Sequence, residues 1–248
     1  MYGSAVSSLL ALIPAYQEGP RITAVVEKTR TFLPVVVVDD GSTDDTGARA
    51  EAAGALVLRQ VPNAGKGAAL RAGFRHALAT DAPAVVTLDA DGQHDPTEIP
   101  RFLAAFEAGR PELVIGRRNF RTMPPVRRLS NTLGGMVFSA AVGRRVADNQ
   151  SGYRLIGRRL MTALLESRET GFEFEVEMIA RCIALGLPIA DVPIRTIYAG
   201  EPSHIRPWRH FTELLRVTRG TAGEVTQLNW ATYLFTREPI AFGEPFQH

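Results

Sequence analysis

Short apolar runs alternate with longer amphipathic segments along the first half of the chain. The runs have the length and composition of strands buried on both faces of a parallel sheet, and they lie at Leu9–Ile13, Val35–Val38, Ala55–Leu58, Ala84–Leu88 and Glu112–Ile115. The segments between them predict helices over Pro20–Phe32, Ser42–Ala53, Gly67–Ala79 and Thr97–Ala108. This β-α-β-α order predicts an α/β fold in which helices flank both faces of a mostly parallel central sheet.

The second half of the chain has a less regular pattern. Apolar positions at helical spacing predict an amphipathic helix over Pro125–Val142. The later predicted elements are a strand, a helix, an extended segment and two further helices, over Tyr153–Ile156, Phe174–Leu185, Pro188–Ile197, Trp208–Arg219 and Val225–Phe235. We therefore expect one domain over residues 1–200 and a C-terminal helical extension over residues 201–248.

Composition and charge exclude several classes of protein. The net charge is +2, from 28 basic and 26 acidic residues, which is too balanced for a domain that binds nucleic acid through a basic surface. The single cysteine, Cys182, excludes an intrachain disulfide and a cysteine-based zinc site. No apolar stretch approaches the roughly 18 residues that a membrane span requires. We expect a cytoplasmic protein, either free or bound peripherally to the membrane surface.

Acidic residues follow three of the predicted strands. Glu18 comes after the first strand, Asp39 and Asp40 end the second, and Asp89 and Asp91 follow the fourth. Ligands of open α/β sheets bind at the carboxyl ends of the strands. An Asp-x-Asp pair there offers hard oxygen ligands to Mg²⁺ or Mn²⁺ and leaves positions for phosphate oxygens. We therefore interpret Asp89 and Asp91 as metal ligands.

Other polar residues support less specific interpretations. Asn63–Gly67 is a glycine-rich turn before a predicted helix, but it is not a Walker A loop, because Gln60 stands where the first glycine is required. The turn fits an anion site at a helix N-terminus and fits equally a tight turn with a solvated Lys66. Asp44 and Asp45 are interpreted as helix-capping acids. The five histidines lack metal-ligand spacing, and most of them are interpreted as surface residues.

Five arginines lie within twelve residues after the fifth strand: Arg117, Arg118, Arg121, Arg127 and Arg128. Arginine binds phosphate through two parallel hydrogen bonds and stays charged. A solvated basic face has the same pattern. Spacing alone leaves both interpretations open.

Four motifs, in this order, resemble those of family 2 glycosyltransferases with the GT-A fold: Ile13-Pro14-Ala15-Tyr16-Gln17-Glu18, Val38-Asp39-Asp40-Gly41-Ser42-Thr43-Asp44-Asp45-Thr46, Asn63-Ala64-Gly65-Lys66-Gly67 and Leu88-Asp89-Ala90-Asp91-Gly92-Gln93-His94-Asp95-Pro96. Gly116-Arg117-Arg118 and Asp148-Asn149-Gln150-Ser151-Gly152-Tyr153-Arg154 support the similarity. Within the family, the chain looks most like the dolichyl-phosphate mannose synthase branch, which transfers a sugar to a polyprenyl phosphate. The resemblance implies a single Rossmann-like GT-A domain.

The resemblance also implies roles for individual residues. Those implied to bind the nucleotide sugar are Pro14, Ala15, Tyr16, Glu18, Asp39, Asp40, Lys66, Asp89, Ala90, Asp91 and Gln93. Asp89, Asp91 and Gln93 would surround Mg²⁺ or Mn²⁺. Arg117, Arg127 and Arg128 would bind the acceptor phosphate. Asp91 and Arg117 are the residues implied to be catalytic.

The implied reaction is an inverting, metal-dependent transfer from GDP-mannose or a UDP-hexose to a polyprenyl or dolichyl phosphate. An alternative acceptor is a sugar hydroxyl, as in cell-surface polysaccharide synthesis. That reaction would need a general base, for which Glu173, Glu175 and Glu177 are candidates, although acidic residues also favour a helix N-terminus. A third hypothesis is a non-catalytic nucleotide-sugar-binding protein, against which the Asp-x-Asp pair and the arginines argue.

The segment Pro202–Phe211 is basic and aromatic, and it leads into a predicted helix. Trp208 and Phe211 share one face of that helix with Leu214 and Leu215, and arginines surround the face. Such a helix can lie in a membrane interface or pack against the catalytic domain. Both interpretations remain open at the sequence level.

Overall fold

The computed structural model describes residues 9–120, 142–171 and 173–195, together with 128, 132, 134–136 and 138–140. Seven strands of this described part form one sheet in the order β3-β2-β1-β4-β6-β5-β7. Their bounds are β1 (Leu10–Ala15), β2 (Val35–Asp39), β3 (Leu56–Arg59), β4 (Ala84–Thr87), β5 (Leu113–Arg118), β6 (Arg154–Gly157) and β7 (Ile189–Ile194). Neighbouring strands pair in parallel, except that β6 is antiparallel to both β4 and β5.

Helices cover both faces of the sheet. Their bounds are α1 (Gly19–Arg30), α2 (Thr46–Ala52), α3 (Lys66–Ala79), α4 (Ile99–Gly109), α5 (Arg158–Leu164) and α6 (Glu173–Ala184), and a 3₁₀ turn at Pro96–Glu98 precedes α4. One face packs against α1, α2 and α4, and the other against α3, α5 and α6. Because both faces are covered, every residue of β2 is buried, which explains its uninterrupted apolar run.

The predicted mostly parallel α/β fold is confirmed, with shifted boundaries. Helix α2 begins at Thr46 and not at Ser42, because residues 42–45 form a loop that joins the ends of β1 and β2. In that loop the Ser42 hydroxyl accepts a hydrogen bond from the Gln17 N–H (3.0 Å). The Asp44 carboxylate caps two helices, accepting from the N–H groups of Gly19 and Thr46 (both 3.1 Å), so its interpretation as a capping acid agrees with the structure.

Two features of the second half were not predicted from the sequence. Helix α5 was not predicted, and the reversed direction of β6 was not anticipated. The described residues between 128 and 140 are helical, in agreement with the predicted Pro125–Val142 helix. The extension over residues 201–248 and its two predicted helices lie outside the described residues. Where helices are described, none is both long and apolar enough to cross a bilayer.

Candidate active site

The candidate site lies at the edge of the sheet where β1, β2 and β4 end. Ala15 and Asp39 are neighbours there in the β1–β2 ladder, and Asp89 follows β4 by two residues. Because β6 runs in the opposite direction, the residues that precede it reach the same edge. The Thr87 hydroxyl of β4 donates to the Gly152 carbonyl (2.8 Å) and fixes the two segments together.

Three charged side chains form a compact cluster at this edge. Lys66 Nζ lies 2.5 Å from Asp89 Oδ1 and 2.7 Å from Glu175 Oε1. Gly152 backs the cluster: a Cβ at this position would lie 2.9 Å from Glu175 Oε1, 3.0 Å from Asp89 Oδ2 and 3.1 Å from Lys66 Nζ. A side chain at position 152 would therefore displace all three charged groups.

The turn before α3 directs Lys66 into this cluster. The Asp40 carboxylate accepts hydrogen bonds from the N–H groups of Ala64 (2.9 Å) and Gly65 (2.8 Å). The N–H of Gly67 donates to the Thr170 carbonyl (2.7 Å). The anion predicted at this helix N-terminus is thus a carboxylate of the chain itself, and Lys66 is ion-paired, in contrast to the solvated lysine that the sequence equally allowed.

The cluster perturbs the ionisation of its members. Burial by itself lowers the pKa of Lys66, but the charges of Asp89 and Glu175 outweigh it and raise the pKa above its ordinary value. Burial opposes ionisation of Asp89, yet the charge of Lys66 and its hydrogen bond lower the pKa of Asp89 to about 2. Burial and the neighbouring charge of Asp89 raise the pKa of Asp91. A cation beside Asp91 would relieve that repulsion.

His94 is an exception to the interpretation of most histidines as surface residues. It is buried, and its Nδ1 accepts a hydrogen bond from the Asp89 N–H (3.0 Å). Burial lowers the pKa of His94, in keeping with a neutral ring. The ring centroid lies 5.0 Å from that of Tyr153, whose hydroxyl donates to the Asp95 carbonyl (3.1 Å). His94 therefore fixes the backbone at the start of the Asp-x-Asp turn.

The ends of β1 and β2 provide the other half of the edge. Asp39 is buried; its Oδ1 accepts from the Ser42 N–H (2.9 Å), and its Oδ2 accepts no hydrogen bond from any described residue. Tyr16, directly after β1, is 49% exposed. Glu18 forms an ion pair with Arg21 (3.1 Å). An exposed aromatic ring and a buried acceptor suit a planar ligand that carries N–H groups.

The arginines after β5 bind different partners. Arg118 binds buried Asp148 through two side-chain hydrogen bonds, of 2.7 and 2.9 Å, and its charge helps to lower the pKa of Asp89. Arg117 instead forms an exposed ion pair with Asp191 of β7 (2.8 Å). Arg128 is helical, and its side chain is exposed. Arg121 and Arg127 lie outside the described residues.

Arg154 is the largest fully buried side chain of the described residues, and it joins the segment before β6 to α6. Its guanidinium donates to the carbonyls of Ser151 (2.7 Å), Asn149 (3.2 Å) and Glu175. These bonds tie the segment 149–151, directly before Gly152, to the backbone of Glu175. Arg154 therefore sets the position of Glu175 relative to Lys66.

Only one of the three candidate bases contacts the cluster. Glu175 pairs with Lys66, whereas Glu177 binds the Ser167 hydroxyl and Arg181 (3.0 Å) at the α5–α6 loop. Glu173 is partly exposed. Glu175 and Glu177 are thus held in ion pairs.

The structure brings Asp89 and Asp91 to the strand-end edge that the sequence predicted for them, and it places Lys66, whose environment the sequence left open, beside Asp89. Pro14 and Ala15 end β1, Ala90 is buried between the two aspartates, and the Gln93 N–H donates to Asp91 Oδ1 (2.9 Å). The resemblance did not supply roles for Glu175, Gly152, Arg154, Arg118 or His94. The motif from Asp148 to Arg154 was the available signal, since it contains three of the residues that build this edge.

The carboxylates fit a divalent cation that also binds a ligand. Among the described residues, no group of three or more His, Cys, Asp or Glu side chains could hold a metal by itself. Mg²⁺ is commonly bound by one or two carboxylates together with substrate phosphates. Asp89 and Asp91 fit that arrangement, with phosphate oxygens completing the coordination.

Comparisons with known proteins agree with this geometry. The model of glycosyl transferase family 2 matches residues 11–164. An undecaprenyl-phosphate mannosyltransferase of Micrococcus luteus is 33% identical over 201 residues, covering 75% of this chain and 82% of the relative. A dolichyl-phosphate hexose transferase of Haloferax volcanii is 35% identical over 192 residues, covering 75% and 81%.

A solved structure shows the same fold. It is glucosyl-3-phosphoglycerate synthase of Mycobacterium tuberculosis in complex with Mn²⁺, UDP and glucosyl-3-phosphoglycerate. The two chains superpose with a TM-score of 0.66 at 23% identity, over 91% of this chain and 82% of the other. With the family match over residues 11–164, this likeness leads to one conclusion: the chain belongs to glycosyl transferase family 2 and has a GT-A-like fold.

Proposed function

We propose that this chain transfers a hexosyl unit from GDP-mannose or a UDP-hexose to a polyprenyl phosphate, with inversion at the anomeric carbon and with Mg²⁺ or Mn²⁺. The observation that carries the proposal is the pair Asp89 and Asp91 at the end of β4, beside the ammonium group of Lys66. Negative charge develops on the departing nucleoside diphosphate at this position, and cations stabilise it there.

The donor occupies the ends of β1, β2 and β4. Asp89, Asp91 and Gln93 hold the cation, which neutralises charge on the diphosphate when it is bound. The nucleotide lies against Pro14, Ala15, Tyr16 and Glu18. The Oδ2 atom of Asp39 lies 3.9 Å from Arg59 Nε and accepts no hydrogen bond from a described residue. It accepts one from a nucleotide N–H group, which satisfies an otherwise costly buried acceptor.

The acceptor is a phosphate rather than a hydroxyl group. A phosphomonoester has a second pKa of about 6 and is largely ionised at neutral pH, so its oxygen attacks without a general base. The ion pairs of Glu175 and Glu177 disfavour the alternative of a hydroxyl acceptor activated by either residue. The names of the two relatives include undecaprenyl phosphate and dolichyl phosphate as acceptors. Arg117, Arg127 and Arg128 are the residues that we expect to bind the acceptor phosphate.

A transfer assay with matched acceptors tests the reaction. The purified chain is incubated in detergent with labelled GDP-mannose, UDP-glucose or UDP-N-acetylglucosamine, and with either undecaprenyl phosphate or undecaprenol. We expect label in the lipid fraction with one donor and only with the phosphate. Equal transfer to undecaprenol, or no transfer to lipid from any donor, would contradict the proposed acceptor.

Metal dependence is tested with the same assay. EDTA should abolish transfer, and Asp91→Asn should reduce it by at least 100-fold, on the order of the loss seen when one charge-stabilising group is removed. Because the pKa of Asp91 is raised, its charge disfavours folding at neutral pH, and the variant should be at least as stable as the wild type. Asp45→Asn, at an acid that is 55% exposed directly before α2, is the control and should keep full activity. Full transfer in excess EDTA would refute the metal role.

We further propose that the chain contacts the membrane surface where its acceptor resides. The basic, aromatic segment around Trp208 and Phe211 is the proposed contact. Binding to vesicles that contain anionic lipid should fall with added salt and with the double change Trp208→Ala and Phe211→Ala, while donor binding persists. Vesicle binding that is absent, or unaffected by these changes, would assign the segment to packing on the domain.

A further inference from the structure

We propose that Lys66 competes with the divalent cation for Asp89, and that Glu175 is the positioning residue that holds the Lys66 ammonium when a nucleoside diphosphate and the cation bind together. The inference rests on the proposed function, because it assumes that the site takes a nucleoside diphosphate with a metal. Its consequence is synergy: each of the two ligands binds weakly alone and much more tightly in the presence of the other.

The competition follows from the contacts of Asp89. One carboxylate oxygen lies 2.5 Å from Lys66 Nζ, and the other lies 3.8 Å from the Nδ1 of His94. A cation that binds Asp89 must therefore displace or share the ammonium group of Lys66. The described residues offer no three-carboxylate or histidine cluster to compensate for that competition, so the diphosphate oxygens have to supply the missing ligands.

Glu175 determines how readily Lys66 leaves Asp89. Its carboxylate is almost fully buried and lies 2.7 Å from Lys66 Nζ. Its own carbonyl is held by the Arg154 guanidinium, so Glu175 cannot follow the lysine far. Lys66 can turn from Asp89 toward a diphosphate and keep one carboxylate partner. Without Glu175, the ammonium would lose the carboxylate that it keeps while it leaves Asp89, and it would resist displacement.

The test measures binding of Mn²⁺ alone, by the electron paramagnetic resonance signal of the free ion. We compare the wild type with Lys66→Met and Glu175→Gln, and use Glu173→Gln as the control, since it makes the same change on the same helix at a partly exposed position. We expect Lys66→Met to bind Mn²⁺ several-fold more tightly than the wild type. Glu175→Gln should bind it several-fold more weakly, and the control should be unchanged.

The opposite signs of the two effects separate this proposal from a structural role. If Lys66 only kept Asp89 in place, its loss would weaken Mn²⁺ binding, and that result would overturn the inference. The double variant Lys66→Met with Glu175→Gln removes one charge of each sign and so keeps the net charge of the cluster at its wild-type value. It should also bind Mn²⁺ more tightly than the wild type, and equal or weaker binding by a folded double variant would overturn the inference too.

Synergy is measured through the nucleotide, since coupling between two ligands is reciprocal. The affinities for UDP and GDP are determined by equilibrium dialysis with and without Mn²⁺, and corrected for the Mn²⁺–nucleotide complex in solution. For the nucleotide of the donor we expect at least a ten-fold gain with Mn²⁺ in the wild type, and a smaller gain in Glu175→Gln. No gain in the wild type, with either nucleotide, would refute the proposal. None of these measurements requires transfer to lipid, so a failure of the proposed acceptor would leave them unaffected.

Discussion

Replacing Arg154 by methionine should destabilise the fold strongly, although the residue lies beside the site. Methionine retains an unbranched apolar side chain in the space of the arginine stem but removes every donor of the guanidinium. The carbonyls of Asn149, Ser151 and Glu175 would then lose their hydrogen-bond donor in a buried environment. The change therefore tests whether this buried cation holds the segment before β6 to α6.

The expected loss follows from those three carbonyls. A buried polar group left without its partner costs about 1–3 kcal/mol, so three give an upper bound of about 9 kcal/mol. The variant no longer buries a charge, which offsets part of that cost. Removing one partner of a buried charged pair costs about 3–5 kcal/mol. We expect the free energy of unfolding to fall by about 4 kcal/mol, equivalent to a decrease of roughly 8–16 °C in Tm.

Urea and thermal unfolding followed by far-ultraviolet circular dichroism measure this loss. Arg158→Met is the matched control, because its guanidinium also contacts three oxygens, on Leu78, Ala82 and Asp81, but the side chain is 44% exposed. Water can replace those contacts, and we expect a loss below about 1 kcal/mol. A loss of less than 1 kcal/mol for Arg154→Met, or equal losses for both variants, would refute the argument.

Three further predictions concern the edge of the sheet. Gly152→Ala should lower the free energy of unfolding by only about 1–2 kcal/mol but weaken Mn²⁺-dependent nucleotide binding at least ten-fold, because its methyl group would push apart the three charged groups. Gly109→Ala is the control, because a Cβ there meets nothing within 4 Å. It should lower neither the free energy of unfolding nor the affinity for the nucleotide. The pKa of Asp89 is about 2 in the folded protein, against an ordinary 3.8. Its ionised form therefore adds stability that is present above about pH 4 and is lost as the pH falls toward 2. The difference in unfolding free energy between the wild type and Asp89→Asn should shrink over that range. Arg117→Ala breaks a pair that is 48% exposed on both sides, so stability should change by less than about 0.5 kcal/mol while the KM for undecaprenyl phosphate rises; an unchanged KM would remove Arg117 from the acceptor site.

The position of Asp89 and Asp91 at the end of a strand was predictable from the sequence because local signals placed them there. Four buried residues followed by Asp-x-Asp mark the end of a strand, and parallel topology then sets that end on the ligand side of the sheet. The partner of Asp89 was not predictable in the same way. Lys66 was a glycine-flanked lysine with two equally plausible environments, and the contact with Glu175 joins residues far apart in the chain.

The arginines show a second limit of spacing. Arg117 and Arg118 are adjacent and chemically identical, yet they bind Asp191 and Asp148, which lie 74 and 30 residues further along. Alternation along β5 sends the two side chains to different sides, and only tertiary contacts decide which of them reaches the site. The antiparallel direction of β6 could not be predicted for a related reason. A strand of four residues has no sequence pattern that indicates its direction in the sheet.

The position of β6 in the sheet affects how the molecule is assembled during synthesis. Thr87 of β4 pairs with Arg154 of β6, 67 residues later, whereas β2 pairs with its sequential neighbours β1 and β3. At about 5–20 residues per second, the apolar edge of β4 stays open for roughly 3–13 s after it leaves the ribosome. Nascent chains that stall in this interval expose a sheet edge open to aggregation and lack Gly152, Arg154 and Glu175. The cluster of Lys66, Asp89 and Glu175 is therefore completed late in folding, because Glu175 joins it only after β6 has been synthesised.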